Sequence, residues 1–215
     1  VNGVDCLHIR KGRPDQKLKN DGSERLVPIH SRLKALGFME YVASLRVDGH
    51  ARLFPELTLH KKHGYSAAPS KWFARVRAQL GFEGKKDFHS FRHTFADHLK
   101  QKGVSEALVG GVLVYALRKP LFRWYSGMPK VDAKLGRISA LVNSAGVVDQ
   151  TCRVADMSLQ RLRRMLDHIR HGRQPERDRV IILLSAKAGL RAAEIAQLEW
   201  SMVLDARRRI ADGGG

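Results

Sequence analysis

The chain has 215 residues, 43% of them hydrophobic and 28% charged, enough apolar material to bury a core in one large domain or two small ones. Its formal net charge is +18 and its pI about 10.5, a balance that points to a polyanionic partner, nucleic acid before others, with a merely basic soluble protein as the alternative. Cys6 and Cys152 stand far apart and outside any CxxC spacing, which argues against a zinc site, and runs such as Val180 to Leu184 are too short to cross a bilayer.

In chain order, Cys6 to Ile9 reads as a short strand and Gly12-Arg13-Pro14-Asp15 as a turn. Lys17 to Asn20 and Arg25 to Ile29 read as two strands around Asn20-Asp21-Gly22, a hairpin cue. Ser31 is positioned to cap a helix carrying Leu33, Leu36, Met39, Tyr41, Val42 and Leu45. Pro69 opens a helix with Trp72, Phe73, Val76 and Leu80 on its apolar face. Ser90 caps another, with Phe91, Phe95 and Leu99 in helical phase and Gly103 ending it. Residues 105–117 are expected to be helical. Residues 126–155 hold few large apolar side chains and read as a linker, with a short helix near Lys134 to Val142. Helices then follow at about 158–170, 175–188 and 191–203, punctuated by Pro175 and Gly189.

This divides the chain into 1–128, a linker over 129–155, and 156–215. Basicity is shared, with a net charge of +13 over residues 1–150 and +5 over 151–215. No tandem repeat and no signal peptide are visible. A reduced cytosolic protein is expected. Val1 and Gly213-Gly214-Gly215 read as cut ends, as in a fragment of a longer gene product.

Three groups of residues carry chemistry. In His89-Ser90-Phe91-Arg92-His93-Thr94-Phe95, Arg92 falls in the first turn of an expected helix, where backbone N–H groups favour an anion, and its guanidinium has the fork that grips a phosphate. His89 stands just before that helix. The second group is Lys19-Asn20-Asp21-Gly22-Ser23-Glu24-Arg25-Leu26-Val27-Pro28-Ile29. The third runs from Leu183 to Trp200 through Gly189-Leu190-Arg191 and Glu194, with Gly189 at a tight turn and Arg191 opening the next helix; Glu194, Ile195, Leu198 and Trp200 read as structural.

The seven-residue box resembles the HxxRHTF motif of the tyrosine recombinases (phage integrases). The second group is similar to that family's hairpin, in which a Lys precedes an S-x-R-x-V-P-L strand. The third resembles its first box, L-x-x-x-T-G-L-R-x-x-E-x-x-x-L-x-W. Leu53-Phe54-Pro55 and Ser70-Lys71-Trp72-Phe73 also follow the family layout, so residues 1–109 resemble the second half of an integrase catalytic domain almost throughout. The first box is displaced to the end of the chain. Circular permutation is one explanation and a junction of two truncated integrase genes the other, with the departures described next favouring the junction.

The resemblance implies a mainly α fold with a small antiparallel sheet (α+β), and DNA cleavage and rejoining through a 3′-phosphotyrosine. It assigns phosphate binding to Arg92 and Arg191, proton donation to Lys19 with Lys17 as competitor, and proton movement or phosphate contact to His89. DNA contact would come from Arg92, His93, Lys61, Lys62, Lys71 and Arg75. The implied partner is double-stranded DNA, bound by assemblies of the chain on paired sites, in a bacterial or phage-type, nucleoid-associated cytoplasmic setting, with no membrane, no metal and no cofactor. The pattern departs from the family after Val109-Gly110. Gly111 stands where His or Trp is expected, and Pro120 and Leu121 stand where the nucleophile's spacing would place a Tyr. Tyr125, in the Arg123-Trp124-Tyr125-Ser126-Gly127 context, is the better candidate and Tyr115 the other. A DNA-binding remnant without catalysis is the alternative function.

Overall fold

The computed structural model describes residues 4–16, 18, 23–82, 88–105, 109–110, 140 and 157–205. Among these the protein is α+β and mainly helical, with one small antiparallel sheet. No helix among the described residues is long and apolar enough to cross a membrane.

Strand β1 (Cys6–Ile9) is the middle strand, flanked by β2 (Arg25–Pro28) and β3 (Val203–Leu204). Leu7 lies opposite Val27 on one side and Val203 on the other. All three are fully buried, so the apolar pairing that fixes the register unites the two ends of the chain. The partner of β2 is therefore β1. The strand expected at Lys17 to Asn20 falls outside the described residues except for Leu18, which belongs to no strand.

Helices follow as α1 (Ser31–Lys34), α2 (Phe38–Val47), α3 (Ala67–Gln79), α4 (Phe88–Gln101), α5 (Leu159–Ile169), α6 (Pro175–Ala188) and α7 (Ala192–Ala196). The single helix expected after Ser31 is two. Gly37 adopts φ 75°, a left-handed conformation that glycine tolerates and that turns the chain between α1 and α2. The cap of α1 is His30, whose Nδ1 accepts the Arg32 N–H at 3.0 Å; Ser31 is already helical. Helix α3 starts two residues before Pro69, which sits in the first turn, where its missing N–H costs nothing.

Helix α4 includes Phe88 and His89. Ser90 is thus a buried helical residue instead of a cap, His89 is inside the helix, and Arg92 is its fifth described residue, beyond the first turn. Packing overrides the capping signal here: the Phe88 ring lies 4.6 Å from that of Phe73, which also meets Phe91 at 5.6 Å, and this aromatic cluster joins α3 to α4. Gly103, at φ 73°, follows the end of α4 as expected. Of 105–117, Ser105 is non-helical, Val109 and Gly110 are helical, and the rest lie outside the described residues. The linker and its short helix lie outside them too, apart from Ala140, which is helical; Ser158, after the linker, caps α5.

The C-terminal half of helix α6 is buried nearly all round, through Ile181, Ile182, Leu183, Leu184, Ser185, Lys187 and Ala188. A helix with that profile belongs at the centre of a core. It packs against α1 and α4 from the first part of the chain and against α5 and α7 from the last. One continuous apolar core includes Leu7, Phe38, Phe73 and Phe91 together with Met165, Ile182, Leu190 and Leu198. The described residues between 157 and 203 therefore share one core with those between 7 and 91.

The helix expected over 191–203 is short. It ends at Ala196 and gives way to a 3-10 turn (Trp200–Met202) and then β3. The backbone groups that would continue it are taken by the beginning of the chain. Leu198 O accepts the Leu53 N–H at 2.9 Å, and Gln197 O accepts Gln16 Nε2 at 2.9 Å. The Glu199 carboxylate receives Gln16 Nε2 and Arg13 Nε, each at 2.9 Å. These tertiary bonds outweigh local helix propensity.

Candidate active site

The first-box turn is built locally. Gly189 ends α6 at φ 63°, with its N–H on Ser185 O at 3.1 Å. Helix α7 opens at Arg191, whose backbone N–H donates to Glu194 Oε2 at 2.9 Å, the reach-back of a helix's third residue to its cap. Arg191 Nη1 also donates to Glu194 Oε1 at 3.1 Å.

Two contacts join this turn to the other boxes. Arg92 Nη1 donates to Gly189 O at 2.5 Å. Arg25 Nη2 donates to Glu194 Oε2 at 3.0 Å while its Nη1 holds Ser23 O at 3.0 Å. Ser185 Oγ adds bonds to Leu190 O at 3.1 Å and Phe88 O at 3.4 Å. The HxxRHTF-like helix, the S-x-R-x-V-P-like strand and the displaced first box therefore meet at one place, although up to 169 residues separate the bonded partners.

Glu194 is the electrostatic centre of this junction. Burial by itself pushes its carboxyl up, but the Arg25 charge and hydrogen bond, with the Arg191 N–H and charge, outweigh it and hold the carboxyl below its ordinary value. Arg25 is the residue that sequence reasoning underused. Its place in the hairpin motif is visible, but its partner is not, because the motif says nothing of what the guanidinium meets.

An open cleft lies beside the junction, between α3, the start of α4 and the start of α7. His89 and Arg191 both line it, as do Ser70 and Arg77. The α3 contributors Ser66, Ser70, Phe73, Ala74 and Arg77 follow helical spacing, so they form one stripe. In the sequence that stripe is just a mixed helix face, and nothing marks Arg77. Two guanidiniums, an imidazole and two hydroxyls, with no carboxylate among the described lining residues, suit an anion such as a phosphodiester.

Arg92 does not share that exposure. It is only 2% exposed, it is absent from the cleft's described lining, and its Nη1 serves Gly189 O. His89 and His93 are both exposed, one helical turn apart, with their rings edge to face at 4.8 Å. Lys71 and Arg75 are exposed on α3, and Lys61 and Lys62 occupy an exposed turn closed by the His60–Gly64 bridge. Lys17, Lys19, Gly111, Tyr115, Trp124 and Tyr125 lie outside the described residues. No group of His, Cys, Asp and Glu suited to a metal occurs among the described residues.

No family model, curated protein or solved structure matches the chain.

A Gly189→Ala variant tests the turn. A Cβ at positive φ costs about 1–2 kcal/mol, and any rotation to relieve it moves the carbonyl that Arg92 holds. We expect a loss of that size in urea unfolding; an unchanged midpoint would mean that the turn tolerates ordinary side chains.

Proposed function

We propose that this chain is a tyrosine recombinase-type catalytic fold whose first box follows the other motifs, acting on double-stranded DNA by strand cleavage and rejoining. The observation that carries the reading is the bond from Arg92 to Gly189 O, with the Arg25–Glu194 pair beside it. Three boxes that resemble one family's motifs pack against one another even though their order along the chain is rearranged.

In this reading Arg191 and His89, on the cleft wall, meet the scissile phosphate. Arg92 joins them when its guanidinium turns from Gly189 O, and the cations stabilise charge on the pentacoordinate phosphorus. The Tyr125 oxygen attacks the phosphorus as its proton passes to His89, the P–O5′ bond breaks, and the 5′ oxygen leaves with a proton from Lys19. The reverse attack by a 5′ hydroxyl releases the tyrosine, so the energy of the phosphodiester is conserved and no nucleotide is consumed. His93, Lys61, Lys62, Lys71 and Arg75 contact the DNA backbone.

A second reading, phosphate-directed DNA binding without cleavage, is favoured by the burial of Arg92 and by Gly111 at the position of a family His or Trp. Incubating the chain with a nicked duplex that traps a covalent intermediate separates the two. The first reading expects a denaturation-resistant protein–DNA adduct, lost in Tyr125→Phe. No adduct, with binding whose logarithm falls linearly with log salt, would establish the second.

A further inference from the structure

A buried ion pair stands behind the cleft wall. Arg25 of β2 donates from Nη2 to Glu194 Oε2 of α7 at 3.0 Å, and both side chains are almost fully buried. Neither is among the described residues that line the cleft, whereas Arg191 is. We propose that Arg25 is a positioning residue: acting through Glu194, it holds the Arg191 guanidinium at the cleft wall with one edge left for a phosphate. The inference rests on the recombinase reading for what becomes of that phosphate; the positioning can be observed without it.

The bonds run in series. Arg25 is itself fixed, with its backbone in β2 opposite Ile9 and its Nη1 on Ser23 O at 3.0 Å. Its Nη2 pins Glu194 Oε2, which also accepts the Arg191 N–H at 2.9 Å. Held at Oε2 from two directions, the carboxylate is not free to turn, and Oε1 stays on Arg191 Nη1 at 3.1 Å. Among the described residues, Nε and Nη2 of Arg191 have no hydrogen-bond partner. Those two N–H groups form an edge with which a guanidinium grips two oxygens side by side. Glu194 thus ties one part of the fork and leaves the other to the cleft.

Stability alone does not explain a buried ion pair at this point. Taking two charges out of water offsets most of their attraction, and an apolar pair of similar volume would join β2 to α7 at least as well. An apolar pair would offer no oxygen to Arg191. A long arginine side chain gives up rotamer freedom when it meets a phosphate, and ordering it beforehand removes that cost. Misplacing such a group by about 1 Å can slow a reaction about a hundredfold.

Arg25→Met in the full chain tests the inference, with Arg25→Lys beside it as the variant that keeps the buried charge and so the fold. The first measurement is arginine side-chain NMR, with Arg191→Lys to assign the signals. The wild type is expected to show separate Arg191 Nη–H signals, slowed by the bond to Glu194, and Arg25→Met to show them averaged. The second is the nicked-duplex assay. In Arg25→Met the rate constant of adduct formation at saturating DNA, per folded molecule, is expected to fall about 10- to 100-fold, with the DNA concentration for half-saturation unchanged. A purely structural role would reduce the amount of folded protein and leave that rate constant alone. Arg25→Lys keeps a charge beside Glu194 but not the grip in two directions, and should fall between wild type and Arg25→Met in both measurements. Arg191 signals that are the same in wild type and both variants, or an unchanged rate constant per folded molecule, overturn the proposal. A wild type that forms no adduct defeats the recombinase reading instead, and the NMR comparison then decides this inference by itself.

Discussion

Replacing Arg92 with Ala is expected to cripple DNA cleavage, lowering adduct formation by roughly a hundred- to a thousandfold, while low-salt DNA binding changes little. The two readouts separate because of where Arg92 lies. At 2% exposure its charge adds little to the surface field that attracts DNA, whereas exposed Lys61, Lys62, Lys71 and Arg75 remain. The same burial gives the substitution a structural cost. It leaves a void against α6 and strips Gly189 O of a charged donor at 2.5 Å, together worth about 2–4 kcal/mol. Arg92→Lys provides the control for folding. Its ammonium retains the charge but not the two-pronged grip, so the lysine variant should regain stability and remain poor in cleavage. Adduct formation surviving in a folded Ala variant would show that the phosphate is held elsewhere.

Glu194→Gln is expected to produce the largest loss of stability, about 3–5 kcal/mol. The side chains of Arg25 and Glu194 are 4% and 8% exposed, so removing the carboxylate charge leaves a guanidinium buried without its counter-charge. The pH dependence follows from the carboxyl's position below its ordinary value of 4.5. A depressed folded-state pKa contributes stability in full above the unfolded value and loses it as pH falls through the folded one. The gap between wild type and Glu194→Gln should therefore hold steady from neutral pH down to about 4.5 and close below it. Urea midpoints across that range provide the check. Adding Arg25→Met to Glu194→Gln should recover part of the loss, because the stranded charge is then gone. A Gln variant as stable as wild type at neutral pH would mean that the pair contributes nothing to joining the hairpin and the first box.

The local devices of the fold are legible in the sequence itself. Gly103 and Gly189 stop helices because only glycine enters the left-handed region without strain, and Pro175 starts one because its missing N–H is unneeded there. The phase of Phe91, Phe95 and Leu99 marks the buried face of α4. Each of these is decided by residues within a few positions of one another. The cap at His30, the start of α4 at or before Phe88, and the early end of α7 at Ala196 are not legible in the same way. The last two depend on contacts made across the fold: the Phe73–Phe88 stack for α4, and the bonds from Gln16 and Leu53 for the stretch after α7. At α1 two adjacent residues could each serve as cap, and burial of the His30 ring selects the first.

The candidate site divides along the same line. Composition by itself determined the basic character of the chain, and the resemblance of two short boxes to recombinase motifs singled out Arg92, His89 and Arg191, because side-chain chemistry and motif spacing are properties of short segments. Tertiary structure alone decided that residues after 157 complete the sheet and supply the central helix of the core, that Arg25 holds Glu194, and that Arg77 shares a cleft with His89 and Arg191. It also decided that Arg92 is buried against Gly189 while Arg191 reaches the cleft wall, a difference between two arginines with the same motif-level signal. The physical reason is that burial and pairing depend on which distant segments share the core, and in this chain the two that build the site are separated by much of its length.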